Sequence, residues 1–272
     1  MQSHQHVTAL ITGAGRGIGK RLAIGFAQAG ARVGLLGRSP AELDLTRLEI
    51  EHAGGTASRH RADVRDFEQV SAAVARMTAL YGGLDTLVAN AAVLGPLGPF
   101  AGQKPRDWKE VIETNILGVM NSCRAVLPHF IEKRRGKILI IVDQGAASPR
   151  RDFAPCSATK AAVVRFAESL AEEVRGSNIQ VNCFSPGVAY TSMTDEILQA
   201  EDRISGKEIE EAEHTRLTGG TPAIRQIQIA LFLVSDKSNH LSGKLIQIGD
   251  DLKRLDQDGG RPDSWTLRRH IK

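Results

Sequence analysis

The chain has 272 residues, of which 42% are hydrophobic and 24% charged, with a formal net charge of +4. That length is ample for a full hydrophobic core, and the charge balance is too mild to mark a nucleic-acid-binding surface. The basic runs Lys133-Arg134-Arg135 and Arg268-Arg269 carry no interleaved aromatics in a chain only 4% aromatic, so they read as solvated turn and tail, with no nucleic-acid partner.

Three cysteines, Cys123, Cys156 and Cys183, show no C-x-x-C spacing and cannot all pair. Free thiols in a reducing compartment are expected, with neither a disulfide framework nor a zinc site. His129 and His214 have no partners at ligand spacing, so no metal is expected. The first apolar run starts by Val7, too early to leave room for a secretory signal. No run approaches bilayer-spanning length. A cytoplasmic chain with no membrane partner is the expectation.

Short apolar runs alternate with helical patterns along the chain. Strands are expected over His6–Thr12, Ala31–Gly37, Gly55–Ala62, Thr86–Ala89, Lys137–Val142, Ile179–Phe184 and Lys244–Ile248. Between them, helices are expected from the glycine turn to about Ala29, then over Ala41–His52, Phe67–Leu80, Trp108–Phe130, Ala154–Val174 and Ala223–Val234. The alternation predicts βαβ units, hence an α/β fold. It is a single Rossmann-type, doubly wound parallel sheet of about seven strands with helices on both faces. The domain is read over residues 1–251. Residues 189–221 hold no strand and are too long for a connection, so they are read as a substrate lid. Residues 252–272 are polar, a tail expected to fray or to lie on a neighbouring subunit.

Between the first strand and the first helix runs Thr12-Gly13-Ala14-Gly15-Arg16-Gly17-Ile18-Gly19. Glycines there let the backbone approach a pyrophosphate, whose charge a helix N-terminus favours. Asp63-Val64 follows the third strand, where a carboxylate accepts from an adenine amino group. Asn90-Ala91-Ala92 ends the fourth strand. Pro186-Gly187-Val188-Ala189-Tyr190-Thr191 ends the sixth, where a threonine can hold a carboxamide. In combination these motifs resemble the short-chain dehydrogenase/reductase family over residues 7–249.

The resemblance implies a nicotinamide cofactor. Arg38 stands after the second strand where an NAD-preferring member has an acidic residue, and its guanidinium suits a 2′-phosphate. With Arg16 as a second cation, NADP(H) is expected. The family's reactive set is Asn, Ser, Tyr and Lys. Asn115 and Lys160 match the first and last. Asp143 falls on the serine and Cys156 on the tyrosine, and no shift of register restores the usual pair. Ala89 and Ala92 depart more mildly from the family's Asn-Asn-Ala-Gly.

A carbonyl receiving hydride becomes an alkoxide that needs a proton and oxyanion stabilisation, which a thiol supplies poorly and a carboxylate opposes. A carboxylate instead favours an iminium, whose reduction yields a neutral amine without a proton donor. The pattern resembles reductase-derived enzymes of fungal indole alkaloid pathways (malbrancheamide, paraherquamide and citrinadin), in which an aspartate replaces the serine and the tyrosine is missing. That resemblance implies a reductase or cyclase, of Diels–Alder or Pictet–Spengler type, acting on a bulky cationic indole alkaloid intermediate. It also implies a homo-oligomer, a tetramer or dimer built on Trp108–Phe130 and Ala154–Val174. Three other readings stay open: an idle NADP-binding scaffold, an ordinary carbonyl oxidoreductase with an unusual acid, and thiol chemistry at Cys156, to which Cys156 as a small space-filler that opens room for a bulky substrate is preferred. Arg124, Arg150 and Arg151 are further cations without an assigned role. Trp108 and Phe153 are candidates to line a pocket for a flat ring.

Overall fold

The computed structural model describes residues 7–258, 260–261 and 264–267. β1 (Thr8–Thr12), α1 (Gly17–Gln28), β2 (Arg32–Gly37), α2 (Pro40–His52), β3 (Thr56–Arg61), α3 (Phe67–Tyr81) and β4 (Thr86–Ala89) form the first half. The second half comprises α4 (Pro105–Ile112), α5 (Gly118–Lys133), β5 (Gly136–Ile141), α6 (Ala154–Glu173) and β6 (Ile179–Ser185). It continues with α7 (Ser192–Leu198), α8 (Gly206–Thr218), α9 (Ala223–Leu233), β7 (Lys244–Gln247) and α10 (Leu252–Asp258). The sheet runs β3-β2-β1-β4-β5-β6-β7 with every pair parallel. This is the seven-stranded, doubly wound α/β sheet expected from the alternation. Strand order reverses between β1 and β4, and the crevice beyond their carboxyl ends is where such sheets take ligands.

Local chemistry sets the element ends. Ser39 caps α2 by accepting the Glu42 N–H at 3.4 Å, with Pro40 in the first turn. Asp66 caps α3 through the Gln69 N–H at 3.1 Å. Apolar side chains fill both faces of the sheet. Met77, Val126, Phe130 and Val163 lie in one layer, and Leu22, Phe26, Leu35, Phe184 and Ile229 in the other.

Two expectations needed revision. The helix expected over Trp108–Phe130 is two α-helices joined by a π-helical turn, Glu113–Leu117. The wider turn adds residues without disturbing the apolar periodicity, so the pattern does not reveal it. Residues 189–221 hold two helices and no strand, and are pinched at the base. Ala189 bridges Gly220, and the Thr221 N–H donates to Val188 O at 2.8 Å. Second, the described part of the tail packs on its own chain. Leu255 of α10 is fully buried, the Leu245 N–H donates to Trp265 O at 2.7 Å, and the Leu267 N–H donates to Glu168 at 3.0 Å. His6, Arg268 and Arg269 lie outside the described residues.

His60 on β3 is 5% exposed, and burial, helped by the charge of Arg76, pushes its pKa down to about 4. Its folded value therefore lies below the unfolded one, and the unfolded chain binds the extra proton between about pH 6.5 and 4. Stability is thus full above about pH 6.5 and falls as pH drops through that window, by up to about 2–3 kcal/mol from this group. Urea unfolding of the wild type and His60→Gln at pH 7 and pH 4.5 checks this. The stability difference between the two proteins should shift in favour of His60→Gln at the lower pH.

Candidate active site

The glycine turn and the end of β4 are built as one unit. The Thr12 hydroxyl accepts the N–H groups of Asn90 (2.9 Å) and Ala91 (3.0 Å), while Asn90 Nδ2 donates to Thr12 O (3.0 Å) and Gly13 O (3.3 Å). Gly13 and Gly17 sit at φ 65° and 57°, a region that favours glycine, so the turn can pass close under a ligand. α1 begins at Gly17, and its free N–H groups open toward the crevice.

A cavity of about 550 Å³ occupies the crevice. It brings together Gly13, Gly15, Arg16, Gly17, Ile18, Arg38, Asp63, Val64, Asn90, Asp143, Cys156, Lys160 and Thr191. Gly19, Asn115, Pro186 and Gly187 do not line it. Gly19 packs beneath the turn, against Gly13 and Asn90. Pro186 O instead accepts from the fully buried Gln226 at 3.0 Å. Asn115, on the π-helical turn, works as a strut. Its Oδ1 accepts the Val93 N–H (2.9 Å), and its Nδ2 donates to Val93 O (2.9 Å) and Thr159 Oγ1 (3.2 Å). It therefore pins the loop after β4 to α6.

At the β2–β3 end, Asp63 is gripped by Arg65 through bonds of 2.7 and 3.0 Å. Burial alone would raise the Asp63 carboxyl, but the hydrogen bonds and charge of Arg65, with Arg38 beyond, hold it below its ordinary value. Arg38 and Arg16 are more than half exposed and touch carboxylates only loosely, at 3.9 Å to Glu110 and to Glu42. Thr114 supplies a polar atom that awaits a partner: it is 6% exposed, lines the cavity, and its hydroxyl has no hydrogen bond. The glycine cradle, the loosely paired arginines and this hydroxyl fit a phosphorylated dinucleotide.

At the β5–β6 end, Asp143 Oδ1 accepts the Gly145 N–H at 2.8 Å, and the Cys156 thiol donates to Asp143 Oδ2 at 3.4 Å. Lys160 Nζ donates to Ile141 O at 3.0 Å. Cys156 is 4% exposed among Leu94, Leu97, Phe153 and Ala200. Burial first, then the Asp143 charge, pushes its thiol up to about 12. The thiolate expected of a reactive cysteine is thereby disfavoured, since only the ionised form is the nucleophile. Cys156 packs in this apolar cluster, lines the cavity and donates to Asp143.

Trp108 and Phe153 do not line the cavity. Trp108 donates to Gln103 at 2.8 Å and meets Phe100 edge-on, and Phe153 is fully buried. Arg124 lies 4.8 Å over the Phe67 ring, and Arg151 is exposed beside Asp152. Reading the sequence missed Thr114, Ser192 and Met193 on the cavity wall, and the role of the Thr12 hydroxyl in tying the glycine turn to β4. A threonine ending the first strand was a usable signal, whereas Thr114 needed the π-helical turn.

A doubly wound sheet with a glycine-turn crevice and a buried lysine at its reactive end defines a dinucleotide-dependent oxidoreductase architecture. Residues 7–202 match the short chain dehydrogenase family, and the chain belongs to it. It is similar to oxidoreductase UcpA of Salmonella typhimurium, at 37% identity over 87% of this chain and 90% of that one. It is also similar to the 3-oxoacyl-[acyl-carrier-protein] reductase FabG of Thermotoga maritima, at 32% over 89% and 96%. The structure of a point variant of actinorhodin polyketide ketoreductase with NADPH superposes with a TM-score of 0.81. The identity is 29%, and 91% of this chain and 97% of that one are covered. A Burkholderia cenocepacia gluconate 5-dehydrogenase in complex with NADP and tartrate gives a TM-score of 0.80 at 28% identity, over 90% and 94%. Among the described residues no helix is long and apolar enough to cross a membrane.

Proposed function

We propose that this member of the family is an NADPH-dependent reductase of cationic C=N substrates, with Asp143 as the counter-charge for an iminium. The carrying observation is the pair at the reactive end: a carboxylate held by Gly145 and Cys156, and a buried thiol where the family has a phenol. Bound NADPH supplies hydride. Gly13–Gly19 would hold the pyrophosphate, Arg38 and Arg16 the 2′-phosphate, and Lys160 the nicotinamide ribose. The chain's own task is then electrostatic. Asp143 attracts the cation from the wall of a cleft, where charge interactions are stronger than in bulk water. The product amine is neutral, so no side chain has to deliver a proton.

The same carboxylate orients a cationic azadiene for ring closure, which makes a bulky indole alkaloid intermediate the substrate class of this reading. The relatives named above favour a second reading, ordinary carbonyl reduction, which requires Cys156 or water to supply the proton. NADPH consumption with a panel of cyclic iminium ions and of ketones separates the two. Turnover of ketones alone sinks the iminium reading, and turnover of neither, with no product of ring closure, favours an idle scaffold. Arg38→Ala is expected to raise Kd for NADPH by about 10–100-fold, the loss of one charge-assisted bond, and to leave NADH little changed. Cofactor fluorescence titration measures it.

A further inference from the structure

Residues 189–221 are tied to the loop after β5 at two independent points. Arg150 donates to Glu208 of α8 at 2.5 Å, and the two side chains are only 14% and 12% exposed. Two residues on, Asp152 Oδ2 accepts the Ser205 N–H at 2.9 Å. Beneath these ties, Met193, Ile197 and Ile204 of the same segment pack onto the apolar cluster that contains Phe153 and Cys156. The segment is therefore seated, and seated by polar contacts at its rim.

Arg150 lies between the lid and the apolar cluster beside the site. Its guanidinium lies 4.0 Å over the ring of buried Phe153, which packs in one cluster with Cys156, the residue whose thiol donates to Asp143 at 3.4 Å, and the Asp143 carboxylate acts on the Arg150 charge. Ion pairs in open water contribute little. A pair removed from water is different, because loss of one partner leaves the other charge in need of a new one. If α8 lifts away, Glu208 goes with it. Arg150 and Asp143 both stay on the loop after β5.

We infer that Arg150 is a positioning residue that couples the seating of the lid to the availability of Asp143. With α8 seated, Glu208 neutralises Arg150 and leaves the Asp143 carboxylate for a cationic substrate. With α8 lifted, Arg150 turns onto Asp143 and quenches it. The charge that holds the substrate is thus offered only under a closed lid. This rests on Asp143 as counter-charge, so its test carries one arm that needs no turnover.

That arm is hydrogen exchange on the NADPH-bound full chain. Glu208→Gln is expected to raise exchange about threefold or more in residues 205–218 and also in 144–153, with NADPH still bound. Ser205→Pro, at a backbone already at φ −66°, removes the second tie and should do the same. In the kinetic arm, Glu208→Gln raises KM for an iminium substrate about tenfold or more, with a smaller change in kcat. Arg150→Met/Glu208→Gln recovers most of that loss, because the quenching cation is gone. Faster exchange confined to 205–218, or a double variant as impaired as Glu208→Gln, overturns the coupling. Failure of the wild type to reduce any iminium ion overturns the reading of Asp143, while the exchange arm still decides whether lid and loop move together.

Discussion

Asp143→Asn is expected to lower kcat/KM for an iminium substrate by about 10²–10³-fold, while the affinity for NADPH is little changed. The substitution keeps the shape and an acceptor for the Gly145 N–H, so the carboxylate's charge is what it removes. In the iminium reading the charge is worth most where positive charge is held out of water. It lies on the cavity wall with Cys156 and Lys160, away from the pyrophosphate cradle. Steady-state kinetics and a fluorescence titration of NADPH are the measurements. A variant that reduces iminium ions as fast as the wild type would remove Asp143 from the mechanism. Loss of NADPH binding would show that the residue supports the cofactor pocket instead.

Gly19→Ala should abolish detectable cofactor binding and lower stability by about 1–3 kcal/mol, the range for overpacking a filled interior. A methyl there meets Gly13 O and comes within 2.5 Å of Asn90 Nδ2. Neither neighbour can yield cheaply. Gly13 is the turn itself, and Asn90 is held to Thr12 and Gly13 through its own N–H, its side-chain amide and the N–H of Ala91 beside it. The strain therefore passes into the pyrophosphate cradle even though Gly19 does not line the cavity. Thermal unfolding with and without NADPH tests both halves: Tm falls, and the cofactor no longer raises it. An unchanged cofactor-induced shift would mean that the turn relaxes independently of β4.

The parts of this molecule legible in advance are those written in composition and short spacing. Runs such as Leu10-Ile11 and Ile138–Ile141 are buried on both faces, so the strands stood out as apolar blocks between helices. Arg38, Asp63 and Asp143 follow strands while Lys160 stands on α6, and the fold delivers all four to one crevice. What stayed hidden depends on geometry that the residue pattern does not carry. The π-helical turn leaves the apolar stripe intact, so Asn115 reads as a helical residue rather than a strut. Cys156 could be read from sequence as a thiolate or as a filler, and its burial weighs against the thiolate. The tail misled through its polar average, which outweighs Leu255 and Trp265, two side chains enough to dock it.

That docking bears on how the sheet ends. A strand at the border of a sheet presents unpaired N–H and C=O groups, a template on which another chain can add a strand. β7 is one border, and its Leu245 N–H is taken by Trp265 O of the same chain. The opposite border, β3, is guarded differently, with Arg59 and Arg61 exposed on a strand whose one buried side chain is His60. The polar tail thus occupies the place where a second molecule's strand would start to grow. Removing residues 259–272 should leave the crevice intact while uncovering a border strand prone to edge-to-edge aggregation.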